Sequence, residues 1–330
     1  MTMTGTIGKA VKTPENKALL RDIQTQLGHM QRSLLSRTCP EPMRSDLRRV
    51  ITSGGKRLRP TLALLCHRIG GAKKYPVRPL MDMLELMHTA SLIHDDVVDG
   101  AAARRGAATI NATSGVGAAV RSGDLLLAEA MENLRFYKGS GINEALAAAS
   151  EEMCLGELLG LGTRFAPIPR KQYFIQIHRK TASLIAASCY SGAVAGGLPE
   201  AEAKALETYG ENLGVAFQLG DDLLDFSRSR ESGKEPGQDL RNGIFTLPAL
   251  YLLESGIPAS VKNLLMKRDR DNGEIGRLID YVRNSGALDY TKTVIRRKTD
   301  DAVGALGDLP ESREKTALIE LALGLADRHV

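Results

Sequence analysis

The sequence predicts an all-α protein. Apolar residues recur at the three- and four-residue spacing of a helix through nearly the whole chain, and no stretch sustains the alternation of a half-buried strand. Glycine and proline gather in short clusters that punctuate these stretches. Helices are expected near 15–38 and 42–52, parted by Pro40 and Pro42. Gly70-Gly71 and Pro76 divide the next two, 58–70 and 77–99. Those near 115–138 and 142–163 are divided by Gly139 to Gly141, and 170–196 follows Pro167 and Pro169. Gly196-Gly197 and Pro199 introduce 199–228, and the remaining helices lie near 244–255, 258–268, 273–285, 287–306 and 311–328.

The chain has 330 residues and is 43% hydrophobic, enough for a large core. No Pro/Gly/Ser-rich linker or low-complexity block interrupts it, so one domain over 1–330 is expected, with about the first 14 residues flexible. Tryptophan is absent and aromatics are 4%, which suits helices packed through small side chains. Cys39, Cys66, Cys154 and Cys189 are far apart and read as reduced side chains of a cytoplasmic protein. The N-terminus has no apolar core and is not a secretory signal. Leu184–Leu198 is short and broken by glycines and serines, so it reads as a buried small-residue helix and not a membrane span. A net charge of +5 permits nucleic acid, but no nucleic-acid motif is present and aromatics for stacking are few. The basic residues form short clusters, which fits a small polyanion better.

Those clusters accompany an acidic pattern that occurs twice. Asp95, Asp96 and Asp99 close the apolar stretch SLIHDDVVD, and Asp221, Asp222 and Asp225 close FQLGDDLLD. Residues four apart share a helix face, so Asp95 aligns with Asp99 and Asp221 with Asp225, while Asp96 and Asp222 flank those rows. Six carboxylates on partly buried helices repel one another and lose solvation unless cations lie between them. Hard oxygen ligands with coordination left open for a phosphate suit Mg²⁺. An EF-hand loop does not fit, because its third position would be Val97 and its twelfth Gly106.

The basic residues supply the anion side. Gly54-Gly55-Lys56-Arg57-Leu58-Arg59-Pro60 is a glycine turn opening a helix, without P-loop spacing. Arg104-Arg105-Gly106 lies one loop beyond the first acidic set, and arginine clamps a diphosphate through two oxygens at once. Lys180-Thr181 interrupts an apolar helix, and Lys234 lies in GKEPGQDLRNG after the second acidic set. His88 is two helical turns before Asp95 on the same face. Each basic element alone is read as readily as a solvated turn, and a lone histidine is more often structural. No HExxH, GxSxG or nucleophilic Ser or Cys pattern is present.

GGKRLRP, HTASLIHDDVVD with RRG, KTASL, FQLGDDLLD, GKEPGQDL and TLPAL occur in the order and spacing of the all-trans polyprenyl diphosphate synthases. The chain resembles that family from about Ser53 to Leu250, in its long-chain type such as octaprenyl diphosphate synthase. The resemblance implies an isoprenoid-synthase-type all-α bundle around a central cavity, usually a homodimer, with three Mg²⁺ ions between the acidic sets. It makes Asp95, Asp99 and Asp221 the main metal ligands, with Asp96, Asp222 and Asp225 ligating or acting through water. Arg104, Lys180 and Lys234, with Thr181 and Gln218 nearby, would hold an allylic primer such as farnesyl or geranylgeranyl diphosphate. Lys56, Arg59, His88 and Arg105 would hold isopentenyl diphosphate. The activity implied is a trans-prenyltransferase working by ionisation, condensation and elimination.

The product would grow beside the helix carrying Asp95. Short-chain members of the family place a bulky aromatic four or five residues before that aspartate, where this chain has Ser91 and Ala90. Side chains that small do not close a tunnel, so a long product of about seven to ten isoprene units is expected. Met83, Met87, Met131 and Leu134 are candidate lower walls, although each is equally readable as core packing. A floor at Met87 would instead give geranylgeranyl diphosphate. The family's lysines are replaced by Gln238 and Ile244, its glutamine by Gly160, and the lysine after RRG by Ala107. The lost lysines allow a third reading, a non-catalytic partner subunit of a heteromeric synthase. The intact acidic sets oppose it.

Overall fold

In the computed structural model the described residues are 14–36, 41, 43–226 and 236–326. The first 13 residues, Cys39, Pro40, Pro42 and Lys234 lie outside them. The described residues are overwhelmingly helical, as expected. The chain falls into two compact units, Met1–Leu146 with Ala187–Glu207 and Asp308–Leu321, and Ala147–Ala186 with Thr208–Gly307 and Ala322–Val330. Each unit carries one acidic set.

The first unit opens with α1 (Pro14–Leu35), α2 (Met43–Thr52), α3 (Leu58–Gly70) and α4 (Val77–Val98). Leu80 to Met87 of α4 are all buried, so this helix is enclosed on every side. A hairpin of β1 (Ala103–Arg104) and β2 (Ala107–Ala108) follows, then α5 (Ile110–Ser114) and α6 (Val116–Glu132). The expected helix 115–138 ends in a separate 3₁₀ turn, Asn133–Tyr137, where the Tyr137 hydroxyl donates to the Pro76 carbonyl at 2.7 Å. The unit also holds part of α7 (Ile142–Gly162), of α9 (Ser183–Gly196), of α10 (Glu200–Leu224) and of α16 (Arg313–Ala326).

Small residues set how closely α3 and α9 approach. A Cβ on Gly192 would lie 2.4 Å from the Ala63 carbonyl oxygen, and one on Gly196 would lie 2.3 Å from that of His67. The apolar stretch read as a small-residue helix is therefore buried by backbone-to-backbone contact. No helix among the described residues is long and apolar enough to cross a membrane.

The second unit holds α8 (Arg170–Ile177), a π-helical turn His178–Ala182, and the start of α9. It continues through α11 (Gln238–Arg241), α12 (Leu247–Glu254), α13 (Ala259–Met266), α14 (Asn272–Arg283) and α15 (Ala287–Ala305). Its core is drawn from Leu247, Leu250, Leu252, Leu278, Val282 and Ile295, and Tyr251 stacks on Tyr290 at 4.7 Å. The α14 N-terminus carries a reciprocal capping box between Asp271 and Glu274.

Gly192→Val is expected to lower the unfolding free energy by about 1–3 kcal/mol through overpacking. Gly304→Ala, in open space on α15, is expected to raise it by about 0.5–1 kcal/mol. Urea denaturation of both variants checks this.

Candidate active site

In the first unit, α4 ends inside the first acidic set. Asp95 is half-buried, Asp96 is buried and Asp99, the C-cap, is exposed. The flanking Asp is thus the one turned into the protein. The β1–β2 hairpin folds back beside it through a two-residue turn, Arg105-Gly106, with φ of 53° and 77°. This aims Arg104 at the acidic set, where its Nε donates to Asp96 Oδ1 at 2.6 Å. Arg105 Nη1 donates to the Gly54 carbonyl. A Cβ on Gly55 would meet that guanidinium at 2.6 Å, so the Gly-Gly turn makes room for Arg105.

The turn continues into Arg57, which caps α3 from the left-handed region with φ 46°. Its guanidinium donates to Glu85 of α4 and to the Ile51 carbonyl at the end of α2. Arg59 is 9% exposed, and its Nε has no acceptor. Burial lowers its pKa to about 10, opposed by the charge of Glu85. Half-buried His88 lies within the field of Arg59, Arg105, Arg57 and Arg104, and burial followed by those charges holds its imidazole well below its usual 6.5. Lys56 is half-buried.

In the second unit, the π turn carries Lys180 and Thr181. It swells the helix toward α7, where a Cβ on Gly156 would lie 2.7 Å from the Lys180 amide nitrogen. Lys180 pairs with Glu157. Thr181 Oγ1 donates to Gln218 Oε1 at 2.8 Å, and Gln218 Nε2 donates to Asp222 Oδ1 at 2.9 Å. The buried Tyr173 hydroxyl donates to Asp222 Oδ2. Both oxygens of Asp222 are therefore engaged by the protein. Burial pushes its pKa up to about 7 against those hydrogen bonds, with Asp221 and Asp225 adding to the rise.

Asp225 accepts from the backbone amides of Gln238 at 2.9 Å and Asp239 at 3.0 Å, capping α11. Asp221 is the exposed member of this set. Gln238 is also exposed and Ile244 half-buried.

Two further features bear on the expected departures and walls. A Cβ on Gly160 would meet Gln176 Nε2 at 2.8 Å, so an amide from α8 occupies the space beside the missing glutamine. Met83, Met87 and Ala90 are buried in the core with Leu84, while Ser91 and Leu134 are half-buried. Met131 is 41% exposed on α6, which does not make it a wall inside its own chain.

Among the described residues, no three His, Cys, Asp or Glu side chains converge as a ready-made metal cage. The donors on the Asp95–Asp99 face and at Asp221 are hard carboxylate oxygens. That chemistry fits a divalent cation such as Mg²⁺, which retains waters and phosphate oxygens in its sphere. Reading the sequence did not single out Glu85, Tyr173, Glu157 or Gln176, nor give Arg57 a role of its own. The available signal was an acid or aromatic at helical spacing from an assigned residue: Glu85 three before His88, and Tyr173 seven before Lys180.

Residues 41–282 match the polyprenyl synthetase family model. The chain is 37% identical to octaprenyl diphosphate synthase of Escherichia coli, covering 83% of this chain and 86% of the relative. It is 36% identical to heptaprenyl diphosphate synthase component 2 of Geobacillus stearothermophilus, covering 84% and 88%. A crystal structure of polyprenyl synthase from Caulobacter crescentus, complexed with calcium and isoprenyl diphosphate, superposes with a TM-score of 0.88 at 33% identity, covering 97% of this chain and 100% of that one.

The lowered pKa of His88 predicts a pH dependence with a definite sign. The unfolded chain takes up a proton near pH 6.5 and the folded chain does not, so stability falls as pH drops below that value. His88→Gln removes this share of the acid sensitivity, and denaturation curves at several pH values measure it.

Proposed function

As this chain belongs to the polyprenyl synthetase family, we propose that it is a prenyltransferase that builds a long all-trans polyprenyl diphosphate from isopentenyl diphosphate and an allylic diphosphate primer. The observation that carries this reading is the first unit's cation cluster beside the first acidic set. There, buried Arg59 keeps an N–H without an acceptor, in a site already rich in guanidinium. A cluster of like charges with an open donor calls for a polyanion.

Arg59, Arg105, Lys56 and His88 bind isopentenyl diphosphate. A neutral His88 adds a hydrogen bond without adding to the repulsion among the arginines. Lys180, with Thr181, Gln218 and Lys234, binds the allylic diphosphate. For Lys180 this means exchanging Glu157 for phosphate. Asp95, Asp99 and Asp221 would hold Mg²⁺, which supplies charge stabilisation for a departing diphosphate. Asp96, Asp222 and Asp225 act behind them, through Arg104, Tyr173 with Gln218, and the α11 cap. The buried apolar face of α4 keeps water from the allylic cation. The non-catalytic partner reading is not favoured, because the relatives are synthases and both acidic sets are intact.

The finer reading is a homodimeric cytoplasmic enzyme using three Mg²⁺ ions and a farnesyl or geranylgeranyl primer. An apolar stripe on α6, with Val116, Val120 and Met131 exposed, supports a second copy as the partner.

Purified protein is incubated with Mg²⁺, labelled isopentenyl diphosphate and each allylic primer in turn, with product length read by mass spectrometry. A ladder ending at about seven to ten units is expected, set by the small side chains at Ala90 and Ser91. A stop at about four units would place the floor at Met87, and no product from folded protein would refute the enzyme. Ser91→Phe and Ala90→Phe are each expected to shorten the product, and unchanged length in a folded variant would refute the tunnel assignment.

A further inference from the structure

The four arginines of the first unit's cation cluster stand in unequal environments. Two end on buried carboxylates: Arg57 on Glu85, which is 3% exposed, and Arg104 on Asp96, which is 6% exposed. The other two do not. Arg59 is buried with its Nε lacking an acceptor, and Arg105 rests on the neutral Gly54 carbonyl. Two of the four positive charges are thus neutralised inside the protein and two are left for an anion.

The Arg57–Glu85 pair is costly to bury, and an apolar pair of the same size would often hold the fold as well. Arg57 also adopts a left-handed backbone that a residue with a Cβ rarely takes. Both features have a common explanation in where the guanidinium reaches. From the N-cap of α3 it spans to Glu85 on α4 and to the Ile51 carbonyl at the end of α2, so one side chain joins three helices around the glycine turn. Glu85 lies one helical turn before His88 on the same face, and its negative charge also acts on Arg59 and Arg105.

We propose that Glu85 and Arg57 are a positioning pair. They fix the Gly54–Leu58 turn and hold the arginine cluster together without touching substrate, leaving Arg59 and Arg105 as the arms that grip isopentenyl diphosphate. This rests on the reading above that the cluster is the isopentenyl diphosphate site.

The test compares Glu85→Gln, Arg57→Met, the double variant Glu85→Leu with Arg57→Met, and Arg59→Met. Isopentenyl diphosphate binding is followed by calorimetry, and KM for both substrates and the melting temperature are measured. Each single change in the pair is expected to raise KM for isopentenyl diphosphate about tenfold, with the allylic KM moving less than about threefold. Arg59→Met is expected to cost more, about a hundredfold. The double variant replaces the ion pair by an apolar one. It is expected to recover the wild-type melting temperature while KM stays raised, which a purely structural pair would not do. An unchanged KM in folded Glu85→Gln overturns the proposal, as does recovery of KM in the double variant. So does Arg57→Met matching Arg59→Met while Glu85→Gln has no effect, since Arg57 would then be a ligand. Wild-type protein that binds no isopentenyl diphosphate removes the parent reading and this inference with it.

Discussion

A buried charge is costly unless an opposite charge or hydrogen bonds meet it inside the protein, and much of the candidate site follows from that constraint. The acidic sets sit at the ends of apolar helices, so in each the middle aspartate points into the protein and must be satisfied there. Asp96 is met by Arg104, and Asp222 by Tyr173 and Gln218. The same constraint acts on the cations, where Glu85 answers Arg57. At the surface of each acidic set lies an outward carboxylate, Asp99 in one unit and Asp221 in the other, and in the first unit buried Arg59 keeps an N–H without an acceptor.

Helices were legible in the sequence because their signal is local and repeats over many residues. The hairpin at 103–108 and the short helices Ile110–Ser114 and Gln238–Arg241 were not, since elements of a few residues carry no period. The π turn was hidden for another reason. It changes the hydrogen-bond span and leaves the residue types alone, so Lys180 and Thr181 read as an ordinary helical pair. Its trace lies elsewhere, in Gly156, which gives way to the widened backbone.

The site shows the same division. Charged residues in apolar runs declared themselves, which is why both acidic sets and the glycine turn stood out. Their partners did not, because Tyr173 and Glu85 occupy positions that packing alone would explain. The roles within each acidic set were only half legible. Helical spacing placed Asp96 and Asp222 off the main row and reaches Gln218, 4 residues before Asp222, but Arg104 and Tyr173 lie 8 and 49 positions from their aspartates, and a hairpin and a separate helix bring them there.

The Asp225 carboxylate also governs how the chain leaves the second acidic set. Its two oxygens hold the amides of Gln238 and Asp239, and its carbonyl accepts from Gly237 at 2.8 Å. The two ends of the connection from Phe226 to Pro236 are therefore fastened to one residue. A change at Asp225 therefore acts in two places, removing a carboxylate from the acidic set and releasing the amides that open α11.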